Sequence, residues 1–168
     1  MSTSTSTDAN RINTAKVKGR RTLRFETLDE IYAEAHGLAE AQNVKQLGNW
    51  SLGQATSHLA RSIKMSLEGA DRLGPIWLRL FLKPFKPYIL TRGLRPGFNL
   101  RGPEAEMLVP GTSLSTEEGL AALSAYIERL KREPQRFPHP AFGAMSRDQW
   151  DQLHKRHAEL HLSFFVPE

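Results

Sequence analysis

His157 and His161 stand one helical turn apart near the end of this 168-residue chain, a spacing that lets two imidazoles on one helix face meet a single metal ion. His154 precedes them, so positions 154, 157 and 161 run at i, i+3 and i+7 along one side of a helix. A further histidine, His58, lies in the middle of a much earlier amphipathic stretch. Three neutral imidazoles drawn from two helices would hold a divalent ion and leave coordination positions open for water or a small molecule, as in reactive rather than purely structural sites. Zinc, nickel or another first-row ion suits such donors, and ligand type alone does not choose among them. Gln54 and Ser62, each one turn from His58, are candidates to orient its ring. The residues leave a second explanation open, in which each histidine is an ordinary interior or boundary side chain satisfied by a carbonyl or a water. Position 158 is Ala, so the Glu of an HExxH metalloprotease helix is missing.

Cysteine is absent, which removes disulfides, thiolate metal ligands and a cysteine nucleophile together. Any metal must therefore be held by nitrogen or oxygen, and any sulfur nucleophile must arrive as a cosubstrate. No apolar run reaches the roughly 20 residues that cross a bilayer. Arg20-Arg21 lacks the apolar stretch that an export signal needs behind it. The expectation is a soluble, cytoplasmic protein without a membrane span.

The elements that must position the histidines are legible from capping patterns. Residues 1–21, polar and basic after a Ser/Thr alternation, predict a flexible tail, and residues 22–168 predict a single domain. Thr27-x-x-Glu30 opens a first helix running to about Gln42, with Leu28, Ile31, Ala35 and Leu38 as its apolar stripe. Ser51-x-x-Gln54 opens a second, preceded by Trp50 as a hydrophobic staple, in which His58 sits beside the stripe Leu52, Ala55, Leu59 and Ile63. Ser115-x-x-Glu118 opens a third, with Lys131 and Arg132 suited to its C-terminal dipole before Pro134. Ser146-x-x-Gln149 opens a fourth, stopped by Pro167, on which Trp150, Leu153, His157, Leu160 and Phe164 share a face. Four capped amphipathic helices without an alternating strand pattern predict an all-α four-helix bundle. The long proline-rich connection between the second and third helices is expected to hold short helices near Ile76 to Leu82 and Phe85 to Thr91.

The net charge of +5 is modest, but from Arg72 to Arg101 basic residues alternate with Trp77, Phe81, Phe85, Tyr88 and Phe98 without one Asp or Glu. A cationic lip for an anionic substrate and a surface for nucleic acid or anionic lipid are both conceivable. No nucleic-acid motif accompanies the segment, and aromatics between prolines usually pack inward, so the expectation is a connector whose rings fill the bundle end. His139, in the Phe137-Pro138-His139-Pro140 loop, is expected to be a turn residue. An apolar strip on a bundle helix serves a monomer core or a homodimer equally.

Arg21-Thr22-Leu23-Arg24-Phe25, Asn49-Trp50-Ser51-Leu52-Gly53-Gln54 leading to His58-Leu59-Ala60, and Phe142-Gly143-x-x-Ser146-x-x-x-Trp150 before His157-x-x-x-His161-Leu162 occur in that order. With these motifs the chain resembles the DinB-like superfamily, in a branch known as a domain of unknown function. That resemblance implies a DinB-like four-helix bundle with a metal triad at His58, His157 and His161. It assigns no ligand role to His154, which is kept as an orienting or acid-base candidate. It further implies a divalent ion that activates a low-molecular-weight thiol or a water, in S-transferase, isomerase or hydrolase chemistry on a small molecule. The alternative is a non-enzymatic ligand-binding or stress-associated bundle. Glu159 points off the histidine face and Glu68 lies more than two turns beyond His58, so no carboxylate is assigned as a general base.

Overall fold

Serine hydroxyls start three of the long helices, as their sequence spacing predicts. In the computed structural model, which describes residues 11–70, 73–97 and 114–168, complete capping boxes join Ser51 to Gln54, Ser115 to Glu118 and Ser146 to Gln149. Each box satisfies two backbone N–H groups that the first helical turn would otherwise strand. The first helix departs from this pattern. Glu30 N–H donates to Thr27 Oγ1 at 3.3 Å, but the Glu30 carboxylate accepts from Glu26 N–H at 2.8 Å, and the helix begins only at Asp29.

The chain order is α1 (Asp29–Glu40), β1 (Val44–Gln46), α2 (Leu52–Glu68), α3 (Ile76–Leu82), α4 (Lys86–Arg92), α5 (Thr116–Arg132), α6 (Arg147–Leu162) and β2 (Phe165–Pro167). Single 3-10 turns lie at Thr14–Lys16 and Lys83–Phe85. The protein is mostly helical, with one correction to the all-α expectation: β1 and β2 pair antiparallel, Lys45 opposite Val166. Helix α6 accordingly ends at Leu162 rather than running to Pro167, and Phe164 lies beyond it. Strands of three residues leave too short an alternation for the sequence pattern to register.

Ile31, Ala35 and Leu38 of α1, Leu59 and Ile63 of α2, Leu123, Ile127 and Leu130 of α5, and Ala158 and Leu162 of α6 form one buried apolar cluster. The most extensive contact is between α2 and α5, which cross at glycines. A Cβ on Gly53 would stand 2.4 Å from the Ser115 carbonyl oxygen, and one on Gly119 would stand 2.5 Å from the Gly53 carbonyl oxygen. Those neighbours are backbone and cannot yield, so the crossing requires the absence of a side chain. The crossing lies at the α2 N-terminus, one residue after Leu52, and so holds the helix that carries His58.

The two short helices of the proline-rich connection form within a residue or so of their expected bounds, with prolines at the first turns of the Lys83–Phe85 segment and of α4. The filling of the bundle end by their aromatics is overturned. Trp77, Phe81, Phe85 and Tyr88 are exposed, while the inner face of this segment docks through Leu90, Ile89 and Leu94 on Trp150 and Leu153. The expectations for residues 1–10, for Arg72 and for the connection from Phe98 through Arg101, Pro103 and Pro110 lie outside the described residues. From Arg11 onward the N-terminal stretch makes defined contacts: Ile12 N–H donates to Asn49 Oδ1 at 2.8 Å, and Arg21 pairs with Glu34. No helix among the described residues is long and apolar enough to cross a membrane.

Candidate metal centre

Helix α2 carries His58 in its second turn, and α6 carries His157 and His161 in its last two, so the three rings meet where the two helices approach near the C-terminal end of α6. His157 Nε2 lies 3.0 Å from His58 Nε2 and 3.0 Å from His161 Nε2. One donor atom from each of the three residues falls within 4.8 Å of the others, a grouping that could hold a metal ion. The rings meet edge-on, at interplanar angles of 64° to 76°. Nitrogens, not ring faces, therefore converge.

Proton bookkeeping makes this arrangement unusual. A neutral imidazole nitrogen carries one proton or one lone pair. His157 Nε2 can thus complete one full-strength hydrogen bond but has two nitrogen neighbours at 3.0 Å. A cation would accept all three lone pairs at once. Tetrahedral zinc, with bonds of about 2.0–2.1 Å, has nitrogen–nitrogen edges of about 3.3–3.4 Å, a few tenths of an ångström beyond the 3.0 Å contacts found here. The donor set fits a divalent ion.

The electrostatics point the same way. Burial first, then the neighbouring His161 and His58, hold His157 well below the usual imidazole value. Burial, then His58 and Arg20, do the same for His161. Both rings are thereby kept neutral, the form that offers a lone pair.

Two neighbours of the cluster escape sequence reasoning. The Trp50 ring stacks on His161 at 5.1 Å between centroids and tilts against His58 at 4.7 Å, so it walls the site as well as preceding the α2 cap. Arg20 donates from Nε to Ser163 Oγ at 3.0 Å and places its guanidinium 4.5 Å from the centre of the Phe164 ring. Only their position in the motifs Arg20-Arg21 and Asn49-Trp50-Ser51 hinted at them, because neither residue type is a metal ligand.

The other candidates are placed as follows. Gln54 closes the Ser51 capping box through its Oε1, and Ser62 is buried on α2. His154 lies outside the cluster: its Nε2 is 3.0 Å from Ser66 Oγ, and its ring stacks on Trp150. Ser66 gives its own proton to the Ile63 carbonyl at 2.7 Å, so His154 must be the donor. Burial lowers its pKa to about 3. His139 is a turn residue, as expected, with Nδ1 accepting from the N–H groups of Ala141 at 3.0 Å and Phe142 at 3.2 Å, and burial lowers its pKa to about 4. Glu159 faces away and binds Arg156, and Glu68 binds Arg129. Among the described residues no carboxylate joins the three histidines. An open surface groove of about 360 Å³ near His36, Glu40 and Glu117 includes none of them.

No curated protein and no solved structure matches the chain. A family model, that of the proteins of unknown function DUF1569, matches residues 17–168, a span that takes in Arg20, Trp50 and all three converging histidines. The chain belongs to the DUF1569 family.

Proposed function

We propose that His58, His157 and His161 form a divalent metal centre, zinc or nickel, in a single-domain four-helix bundle of DinB-like type spanning residues 22–168, with α1, α2, α5 and α6 as its four helices. The observation that carries this reading is the convergence of three Nε2 atoms on a point where hydrogen bonding alone leaves one nitrogen over-subscribed. A bound ion would supply Lewis acidity, polarising a water or favouring the thiolate of a small-molecule thiol. The chain's own residues hold the donors neutral, wall the site with the Trp50 indole, and keep the α6 end capped through Ser163 and Arg20. Activation of a low-molecular-weight thiol is favoured over hydrolysis. Transfer through a metal-stabilised thiolate needs no protein base, whereas deprotonating an attacking water is aided by one, and no carboxylate joins the cluster.

Metal analysis of protein purified without a histidine tag tests the premise. About one divalent ion per chain is expected after zinc or nickel loading. A content far below that, unchanged by added metal, overturns the reading. His157→Ala should abolish metal uptake and the metal-induced rise in melting temperature while leaving the helical circular dichroism intact. Loss of the fold in that variant would assign the cluster a structural role. Thiol-dependent transfer by the loaded wild type, absent in His157→Ala, separates an enzyme from a binding protein.

A further inference from the structure

The segment from Ile76 to Arg95 turns its apolar face outward. Ile76, Trp77, Leu80 and Phe81 recur one turn apart on α3 and are each more than 60 % exposed. Phe85 and Tyr88, each 50 % exposed, continue that surface into α4, and the Phe81 and Phe85 rings lie 5.9 Å apart. Large apolar side chains elsewhere on the described surface are scattered singly. A contiguous apolar surface of this kind marks an interaction site.

The inner face of the same segment is anchored. Leu90 and Ile89 pack on Trp150 and Leu153, Gln152 Nε2 donates to the Leu90 carbonyl at 3.0 Å, and Gly74 N–H donates to the Pro140 carbonyl at 3.0 Å. The exposed rings therefore belong to the outer side of a docked element. Lys83, Lys86, Arg92 and Arg95 flank them, and residues 73–97 contain no Asp or Glu. That charge pattern selects the occupant. A second copy meeting this face through a two-fold axis would bring cations against their own equivalents without a compensating carboxylate. An anionic bilayer surface offers hydrocarbon to Trp77 and Phe81 and phosphates to the lysines and arginines at once.

We propose that the α3–α4 face docks on the surface of anionic lipid membranes, with the aromatics entering the headgroup boundary and the chain remaining on one side of the bilayer. Sedimentation of the full chain, free of any tag, with vesicles of phosphatidylcholine alone or with about a quarter phosphatidylglycerol tests this. Binding to the anionic vesicles is expected to be at least about tenfold tighter than to the neutral ones, and to weaken with salt. The double variant Trp77→Ser/Phe81→Ser should lose at least about tenfold in binding at an unchanged melting temperature, because both side chains are exposed. Lys83→Glu/Arg92→Glu should lose the preference for anionic lipid. His157→Ala should bind vesicles as the wild type does, which separates this surface from the histidine site. Wild-type protein that ignores anionic vesicles overturns the proposal, as does binding unaffected by the serine variant. A concentration-dependent dimer abolished by that variant, without vesicle binding, would reassign the face to self-association. A lowered melting temperature without vesicle binding would reassign it to packing within the chain.

Discussion

Helix α6 buries two polar constellations on different sides, and they differ in what their hydrogen bonding leaves over. On one side, Arg156 is 1 % exposed and donates from Nη2 to the Phe25 carbonyl at 2.8 Å and from Nη1 to Glu159 Oε2 at 2.9 Å, while Glu159 Oε1 accepts the Phe25 N–H at 2.7 Å. Main chain and side chains satisfy each other there, leaving the Arg156 Nε unpartnered. On the other side, His58, His157 and His161 bring three nitrogens together with too few proton arrangements to serve them. Burial of polar groups is common to both regions. The surplus of converging lone pairs is what distinguishes a site from a clamp.

The comparison breaks most visibly at Arg156. Replacing it by Ala leaves the Glu159 carboxylate, 10 % exposed, without its cation and with the Phe25 N–H alone, and should cost about 3–5 kcal/mol in denaturant unfolding. His157→Ala, measured without metal, should cost far less, since it relieves an over-subscribed contact. Equal losses in the two variants would erase the distinction.

Acid sharpens it next. His154 and His139, with pKa values lowered to about 3 and about 4 by burial, are neutral in the folded chain where the unfolded chain binds a proton. Their contribution to stability is therefore complete above the unfolded value near 6.5 and is lost as pH falls below it. At pH 5 each should have given up about 2 kcal/mol relative to neutral pH. The depressed values of His157 and His161 act in the same direction; because the folded rings are already neutral there, bound metal should raise stability by a similar amount at each pH and leave the acid loss in place. Melting curves from about pH 7.5 down to about pH 5, across the imidazole range, with and without zinc would show it. Stability that rises on acidification would contradict the neutral assignments.

The smallest effect concerns the closed pair beside the site. Ser66→Ala leaves the His154 N–H without its acceptor and should cost about 1–3 kcal/mol, with metal uptake unchanged. Reduced metal uptake would place His154 within the metal site after all.

What the sequence made legible was local or periodic. The capping boxes at Ser51, Ser115 and Ser146 each lie within four consecutive residues, and the histidine spacing on α6 is set by the helical repeat. The clamp at Phe25 was not legible, because it joins a side chain to backbone groups 131 residues away. Nor was the outward turn of Trp77 and Phe81. A stripe of aromatics reports that one face is apolar, and only the packing of α4 on Trp150 decides which face is covered. Trp50 was visible as a residue that precedes a helix, but its contact with His161 depends on how α2 and α6 are set against each other.

That setting has an unobtrusive source. The β1–β2 ladder pairs the strand just before α2 with the strand just after α6, and Leu47 N–H adds a bond to the Phe164 carbonyl at 2.9 Å. His58 and His157 are 99 residues apart in sequence, and an unconstrained chain of that length would bring its ends together only rarely. Holding the start of one helix to the finish of the other raises the effective concentration of the His58 imidazole near its two partners. With the proposed ion bound, a sheet of a few residues would act as the tether of a chelate, and its fraying should show first as faster metal release rather than as unfolding.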